Sequence, residues 1–554
     1  MKSPFRLYRG PIGVAGLVLA ATFISSANAD QPDRLEDRLA RALREAGFTG
    51  RVQESLEPRL GRRLDPKRVK LGRTIFFDNI MGLHRDNACA GCHSPAAGFG
   101  DSQSIAIGTD NNGVVGPDRT GPRNQRRAPL TINTAFSPSL MLNLRFVSRS
   151  GDPFDLSPGA SVPFSIGGDT VWNPSSACFY ATCFDAKKMT TLLTVQGHFP
   201  PTELIEMAGF TAEVPGDVDP ALYHPSHRVS SGAFSDTVPG PIAGPNGSPP
   251  DSFDTSYSIR QKVLDRFNAN AEYVSRFKRI YPEADGGKIT FAMIGAALAE
   301  FQMANTFANA PLDRFARGHR HALTAAQQRG ALLFFTTGKC VSCHGVVGVS
   351  NEMFTDFDNY VAGIPQIAPK DFGLRPSGDP LNPDDFPGNF AFSGPASDED
   401  FGREEVTGNP ADRYKFRTSP LRNIALQAAF FHNGSFTKLE EALRYHLDTL
   451  DLAPSYDAAA AGVDADLTVR KGPLQPVLDR LEPRIAALGD LNLSPREFQD
   501  LLAFLRDGLL DPDARPEKLC KQIPETVPSG LKVLEFQGCP AHRGADEGPE
   551  HEED

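Results

Sequence analysis

A chain of 554 residues is long enough to bury the cores of two or more domains. Its acidic residues outnumber its basic ones, and the net charge of -11 argues against nucleic acid and anionic membrane as partners. The composition is otherwise ordinary for a globular protein, except that abundant Gly, Pro and Phe indicate long loops around aromatic packing.

The N-terminus has the three parts of a secretory signal. Basic residues precede an apolar run at Ile12–Ile24, and a small-residue A-x-A site ends at Ala29. The run is too short for a stable membrane span, and no later segment approaches the required length. We therefore expect residues 1–29 to be a signal peptide cleaved after Ala29. The mature chain would then lie in an oxidising compartment, the periplasm.

Two cysteine pairs are each followed at once by a histidine. The first is Cys89, Cys92 and His93, and the second is Cys340, Cys343 and His344. The C-x-x-C-H spacing is the attachment signature of c-type haem, in which the thiols add to the haem vinyl groups and the histidine becomes the proximal iron ligand. Disulfides or a zinc site are the alternatives, but zinc requires four clustered ligands and no second pair accompanies either motif. Two covalent haems are the favoured interpretation.

A Gly and then a Phe-Phe pair precede each of these motifs, within Lys70–Asn79 and within Arg329–Thr336. We interpret both as the start of a helix whose aromatic face packs on a porphyrin, although ordinary core packing would explain the Phe pairs alone. The repetition predicts a duplicated cytochrome c unit. The fold class is therefore mainly α, with two cytochrome c-like haem domains, long loops and an insert in the N-terminal half.

The chain divides by composition. Residues 30–300 are expected to form an N-terminal haem domain that contains an insert at about 140–255, with a short helical piece near 187–196. Helices are predicted at 257–282 and 289–305, and a Pro-rich loop at 363–412. Residues 301–520 would form the C-terminal haem domain, whose last helix opens with a capping box at Ser494. Residues 521–554 would form a tail that is acidic and disordered from Pro540.

Four further cysteines lie outside the haem motifs. Cys178 lies close to Cys183, and Cys520 lies close to Cys539. In an oxidising compartment two local disulfides are the expected outcome.

The segment from Leu439 to His446 is predicted to be a helix on which Leu439, Ala442, Leu443 and His446 share one face. A lone histidine on an apolar face is more often a core residue than a ligand. As a sixth ligand to the second iron, His446 would give a closed, low-spin haem suited to electron transfer. Tyr445, about a third of a turn away, is the alternative ligand.

Three segments, Ile75–Asp101, His198–Gly209 and Lys415–Leu443, resemble the bacterial di-haem cytochrome c peroxidase/MauG family. The resemblance implies that peroxide reacts at the first haem and that the second transfers electrons. It also places Glu206 over the first haem as the acid/base for O–O cleavage, with Pro200 shaping the pocket. An exposed helix glutamate is the alternative for Glu206. His198 could join the pocket, although the family does not require it.

The chain departs from the best-known relatives at three positions. His446 stands where they have Met or Tyr, and imidazole in place of thioether should lower that haem's potential. Thr109 stands where peroxidases hold a displaceable histidine, which implies an open first haem of the MauG kind. The region of the inter-haem tryptophan reads 145–149 without one, and the single Trp172 lies in the insert.

The resemblance also raises a calcium ion between the haems, bound by the carbonyls of Thr418 and Pro420. Arg127 stands at the usual asparagine ligand, which disfavours a cation unless Asn124 or Asn133 takes over. Arg417 and Arg422 are candidate partners of the haem propionates, because guanidinium binds carboxylate in a fork. Ordinary surface pairing is the alternative for both arginines.

The preferred function is a periplasmic peroxidase that reduces hydrogen peroxide with electrons from a small cytochrome c or a copper protein. The alternatives are a MauG-like oxidase, which would spend the oxidised state on an organic or protein side-chain substrate, and a non-enzymatic di-haem electron carrier. Neither nucleic acid nor a membrane span is expected, and a homodimer is left open.

Overall fold

The computed structural model describes residues 34–148, 150–154, 161–166, 169–170, 191–209, 252–282, 287–369 and 398–540. The signal peptide at 1–29, the Cys178–Cys183 pair, Trp172, much of the insert and the acidic end beyond Pro540 lie outside these residues. In the described ranges no helix combines the length and the apolar character needed to cross a membrane.

Helices predominate, which confirms the mainly α class. They are α1 (Leu35–Glu45), α2 (Leu56–Leu60), α3 (Pro66–Phe76), α4 (Cys89–Cys92), α5 (Leu192–Gln196), α6 (Ser252–Ala269), α7 (Ala271–Ile280), α8 (Phe291–Ala304), α9 (Pro311–Ala316), α10 (Ala325–Phe335), α11 (Glu404–Thr407), α12 (Leu439–Leu447), α13 (Thr449–Leu452), α14 (Gln475–Leu478), α15 (Pro483–Ala486), α16 (Pro495–Ala503) and α17 (Pro516–Leu519).

The strands are short. They are β1 (Val114–Val115), β2 (Ser139–Leu140), β3 (Phe146–Ser148), β4 (Ser161–Ile166), β5 (Asp169–Thr170), β6 (Asn359–Tyr360), β7 (Ile367–Ala368), β8 (Phe416–Arg417), β9 (Arg470–Lys471) and β10 (Glu535–Phe536). Strands β2 to β5 form an antiparallel sheet in chain order, whereas β6 pairs with β8, β7 with β9, and β1 in parallel with β10.

Two helix pairs, α3 with α8 and α10 with α16, cross at a glycine. A Cβ on Gly72 would lie 1.9 Å from the carbonyl oxygen of Ala297, and one on Gly330 would lie 2.0 Å from that of Asp500. Any side chain there would push the helices apart. We refer below to residues 66–304 as the first unit and to residues 325–508 as the second unit.

The Phe pairs lie at the ends of their helices, so the prediction that they begin a helix was wrong. Helix α3 begins at Pro66, because the Asp65 side chain caps the N–H of Lys67 and proline suits the first helical position. It ends at Phe76, and α10 likewise ends at Phe335.

The two units place equivalent aromatic rings beside their motif histidines. The rings of Phe76 and His93 are centred 6.4 Å apart, and so are those of Phe334 and His344. Each Phe is also in edge contact with the Phe that follows it in the chain. This repeated packing is what the paired sequence motifs led us to expect.

The remaining helical predictions hold with small changes of boundary. The capping box at Ser494 is present, and helix α16 continues into a π-helical turn at Phe504–Gly508. The helix predicted at 257–282 is divided into α6 and α7, because the side chain of Asn270 caps the N–H of Tyr273.

The segment after α16 returns to the first unit. The predicted disulfide between Cys520 and Cys539 is confirmed. Strand β10 pairs with β1, and the ring of Phe536 lies 5.7 Å from that of Phe77. Residues 521–539 are therefore packed against the first unit, while the domain boundaries themselves stay a prediction.

Candidate active site

A cavity of about 340 Å³ lies in the first unit and reaches the second. Cys89, Cys92 and His93 line it from the first unit, and Arg417 and Arg422 line it from the second. The first motif therefore shares this cavity with side chains of the second unit.

The four motif cysteines are free thiols, although each pair is separated by only two residues. Burial raises the pKa of Cys89, Cys92 and Cys340 to about 12. Burial thus disfavours the thiolate form that a zinc site requires.

His93 is oriented by two carbonyl oxygens. Its Nδ1–H donates to those of Phe99 and Pro129, both at 3.1 Å. Carbonyl oxygens only accept, so the proton is on Nδ1 and the Nε2 lone pair is free for a metal. Burial lowers the pKa of His93, which keeps the ring neutral and able to ligate.

His344 in the second unit is held in the same way. Its Nδ1–H donates to the carbonyl oxygen of Phe354 at 3.0 Å, and burial lowers its pKa. Phe99 and Phe354 both have positive φ, 55° and 59°, an uncommon conformation for phenylalanine. In each unit, an equivalent phenylalanine with positive φ thus directs its carbonyl oxygen at the motif histidine.

His446 faces His344. Their ring centres are 6.4 Å apart, with an angle of 74° between the rings. A histidine nitrogen lies about 2.0–2.1 Å from a bound metal such as zinc, so two imidazoles on one metal would have ring centres roughly 6 Å apart. Burial and the neighbouring His344 lower the pKa of His446 to about 4, so it too is neutral. The spacing fits a shared haem iron.

Tyr445 points elsewhere. Its hydroxyl donates to the carbonyl oxygen of Gly363 at 2.6 Å, and its ring packs on Phe436 in the core. The side chain is buried, and burial raises its pKa. Of the two candidates for the sixth ligand, the geometry favours His446.

Glu206 lies in the cavity wall, in a π-helical turn at Leu204–Ala208. Three consecutive carbonyls of that turn are tied to the loop that carries the first motif. Ile205 accepts from the Thr109 N–H at 3.0 Å, Glu206 from Asn87 Nδ2 at 2.8 Å, and Met207 from the Leu83 N–H at 2.9 Å. The turn is thereby held in register with the motif.

Asn87 is itself fixed by a buried arginine. Arg119 Nη2 donates to Asn87 Oδ1 at 2.8 Å, and its Nε donates to the carbonyl oxygen of Ile107. At Gly108 a Cβ would lie 2.1 Å from the Ile205 carbonyl oxygen, so only glycine allows this approach. The sequence did not identify these supports, because contacts between positions so far apart leave no spacing signal.

The electrostatics of the wall keep Glu206 protonated at neutral pH. Burial, and then the nearby Glu203, raise its pKa to about 8, while Arg145 opposes the shift. Arg145 Nη1 is paired with Glu203 at 2.9 Å, and both line the cavity. A carboxyl that titrates near working pH is suited to both giving and accepting a proton.

Of the other residues predicted near the pocket, Pro200 lines the cavity, whereas His198 and Thr109 do not. Pro200 lines the cavity at the start of a 3-10 turn. His198 is fully buried and is not among the lining residues, and its Nδ1 bonds the Thr194 carbonyl oxygen at 2.8 Å. Thr109 is buried, and its hydroxyl donates to Asp86. Thr109 therefore supports the loop and the Glu206 turn.

Comparison with known proteins adds the family. Residues 66–321 match the family described as di-haem cytochrome c peroxidase. The match spans a little less than half of the chain, and it confirms the predicted resemblance to the di-haem cytochrome c peroxidase and MauG family.

The chain is similar both to cytochrome c peroxidases and to MauG. Cytochrome c551 peroxidase of Pseudomonas aeruginosa is 28% identical over 187 residues, which cover 34% of this chain and 45% of that protein. The match therefore spans less than half of that relative. Methylamine utilization protein MauG of Methylorubrum extorquens is 24% identical, over 90% of this chain and 94% of that protein. The solved diheme peroxidase BthA from Burkholderia thailandensis is 17% identical, with a TM-score of 0.45 over 85% of this chain and 91% of that one.

The candidate calcium position contains arginine side chains. The Thr418 carbonyl oxygen accepts from the Thr355 hydroxyl at 2.6 Å, and Pro420 lines the cavity. Arg127 and Arg417 are buried there, and burial lowers the pKa of each to about 10. In the part of the chain that is described, no cluster of three His, Cys, Asp or Glu side chains could hold a metal ion. Calcium stays a prediction without support from this arrangement.

Arg422, the second candidate for a propionate, is engaged by protein groups. Both of its terminal nitrogens donate to Asp313 at 2.8 Å, and its Nε donates to the Glu352 carbonyl oxygen at 2.6 Å. Arg422 and Asp313 are almost completely buried. The pair is a structural link between α9 and the second unit, and the propionate role of Arg422 stays a prediction.

Proposed function

We propose that this protein is a periplasmic di-haem peroxidase, which reduces hydrogen peroxide at the first haem with electrons passed through the second. The observation that carries the proposal is an asymmetry. His344 has a second imidazole opposite it at 6.4 Å, whereas the cavity at His93 has a carboxyl group, Glu206, in its wall.

Each haem, when bound, would supply a redox-active iron. Cys89 and Cys92 would hold the first one covalently, and His93 would present Nε2 to it. Glu206 would hold the proton that peroxide cleavage requires, accepting it from one peroxide oxygen and returning it to the departing one. The ion pair of Arg145 with Glu203 would tune that exchange.

The second unit would serve electron transfer. The neutral imidazoles of His344 and His446 would both hold the second haem, which would supply electron transfer and not peroxide binding. A small cytochrome c or a copper protein is the proposed donor. The C-x-x-C-H motifs and the predicted signal peptide both support a periplasmic location, and cell fractionation should find the enzyme there.

Turnover tests the proposal directly. The holoprotein should oxidise reduced cytochrome c rapidly when hydrogen peroxide is added, and E206Q should lose most of that activity while keeping two haems. Haem-loaded protein that accepts electrons but never consumes peroxide would instead be an electron carrier, and the proposal would be abandoned.

A MauG-like oxidase is the second candidate, because buried Thr109 occupies the position of the displaceable histidine and is bonded to Asp86. That candidate predicts a slowly decaying oxidised species after one equivalent of peroxide, with no turnover of cytochrome c. Such decay should quicken when an oxidisable organic or protein substrate is added.

A further inference from the structure

The cavity contains more positive charge than its neighbouring carboxylates neutralise. Six arginines line it, namely Arg126, Arg127, Arg145, Arg260, Arg417 and Arg422. Arg126, Arg145 and Arg422 each form an ion pair with a carboxylate at 2.6–2.9 Å. Arg260 donates its Nε–H to the His198 carbonyl oxygen.

Among the residues described, Arg127 and Arg417 form no such ion pair, although the nearby carboxyl group of Asp101 partly offsets the lowering of the pKa of Arg127. They are only 4% and 7% exposed, and neither forms an ion pair with any carboxylate of the described residues. Arg127 Nε donates to the Phe431 carbonyl oxygen at 2.5 Å, and Arg417 Nη1 donates to that of Ser139 at 2.6 Å. Within the described chain the buried Nε of Arg417 has no hydrogen-bond partner.

The two arginines occupy equivalent places in the internal repeat. Asn133 follows Arg127, and Asn423 follows Arg417, at the same interval. Both asparagines have positive φ, 63° and 58°, and both donate their side-chain amide to the Phe307 carbonyl oxygen, at 3.0 and 2.9 Å. The equivalence is therefore one of structure as well as of sequence spacing.

Each arginine crosses to the opposite unit. The Arg127 N–H donates to the His432 carbonyl oxygen at 3.0 Å, and the Arg417 N–H donates to that of Leu142 at 2.8 Å. Carbonyls of each unit thus fix the arginine of the other. Both guanidinium groups line the same cavity, and the charge of Arg127 helps to lower the pKa of Arg417.

Burying a guanidinium group that is not paired with a carboxylate is unfavourable, and carbonyl acceptors orient it without neutralising it. Such a site calls for an anion, and a carboxylate matches the planar fork of guanidinium best. A porphyrin fixed by its vinyl edge to Cys89 and Cys92 would bring two propionate carboxylates into this same cavity.

We propose that Arg127 and Arg417 together form a carboxylate site at the junction of the two units, filled by the propionates of the first haem. The inference rests on the proposed di-haem function. It also accounts for arginine at 127, where the family has an asparagine ligand to calcium. Two buried positive charges at this junction disfavour a further cation such as calcium. A free carboxylate is the other source of the same chemistry.

The test compares holoprotein variants. R127Q and R417Q should shift the propionate bands in the resonance Raman spectrum and lower the first haem's reduction potential, because a nearby cation favours the reduced haem. The control R413Q removes one positive charge that is paired with Glu404 and does not line the cavity, so it should change neither. Adding a calcium chelator to the wild type should also leave the bands unchanged.

Other outcomes are decisive in the opposite direction. If R127Q/R417Q keeps two haems per chain with unshifted bands and potential, the arginine site is overturned and the proposed function stands. If the wild-type chain binds fewer than two haems, the proposed function itself is overturned. A saturable effect of added formate on the wild-type spectrum would assign the site to a free carboxylate. If the Gln variants fail to fold, R127K and R417K decide, since lysine keeps the charge but loses the fork: unshifted bands there would reject the site.

Discussion

The acid limb of the pH–rate profile is the sharpest consequence of the Glu206 environment. The pKa of Glu206 is raised from 4.5 to about 8, which favours its protonated form by about 5 kcal/mol relative to an exposed glutamate. If Glu206 must be ionised to accept the peroxide proton, kcat/KM should rise with pH and level off above 8. At pH 7 it should be about a tenth of the plateau.

Two neighbouring substitutions should move this limb in opposite directions. Glu203 raises the pKa of Glu206 and Arg145 lowers it. E203Q also releases Arg145 from its 2.9 Å ion pair, so E203Q should shift the limb to lower pH and increase kcat/KM at pH 7. R145Q should shift it to higher pH.

The assay is peroxide-dependent oxidation of reduced cytochrome c, measured from pH 5 to 9 at a fixed ionic strength. E206Q should lower kcat/KM by about 10²–10⁴-fold and abolish the limb, which is the usual range for removing a general acid–base group. A wild-type profile that is flat across pH 6 to 9, or a limb that stays in place in E203Q, would refute the assignment of Glu206.

Three further predictions concern the second haem, the helix crossings and the C-terminal segment. H446A should convert the low-spin signal of one haem to high-spin in electron paramagnetic resonance, because the second imidazole is lost. G72A should lower the free energy of unfolding by about 1–3 kcal/mol in a denaturant titration, because the added methyl group would overlap the backbone of α8. Replacing Cys520 and Cys539 by serine should cost about 3 kcal/mol, as expected for a loop of this length, and should expose residues 521–538 to proteases.

Each of these has a control and a contrary outcome. Y445F should leave the resonance signal unchanged and cost about 1 kcal/mol for the lost bond to Gly363; a signal that follows Y445F and ignores H446A would reverse the ligand assignment. G489A, where a Cβ makes only ordinary contacts, should be nearly neutral, and equal effects of both Gly variants would refute the crossing argument. Unaltered stability of the serine variant would show that the disulfide does not hold the segment in place.

Local patterns were sufficient for much of this protein. The two C-x-x-C-H motifs singled out His93 and His344, whose Nδ1 atoms are hydrogen-bonded to carbonyl oxygens, and helical spacing placed His446 on α12. Both signals are confined to a few consecutive residues. The same holds for the capping box at Ser494 and for the pairing of Cys520 with Cys539. The prediction that the Phe pairs begin their helices was wrong. The start of α3 is set by the cap at Asp65, which lies outside the segment from which the prediction was made.

Tertiary structure decided everything that depends on two distant segments meeting. The carbonyl of Gly363 accepts from the Tyr445 hydroxyl and keeps that ring in the core, so His446 is the side chain that faces His344. The raised pKa of Glu206 comes from burial and from Glu203, and its turn is held by Asn87 across the cavity. Spacing along a chain encodes which face of one helix a residue occupies, whereas the charge, desolvation and anchoring of that residue are set by whichever segments fold against it.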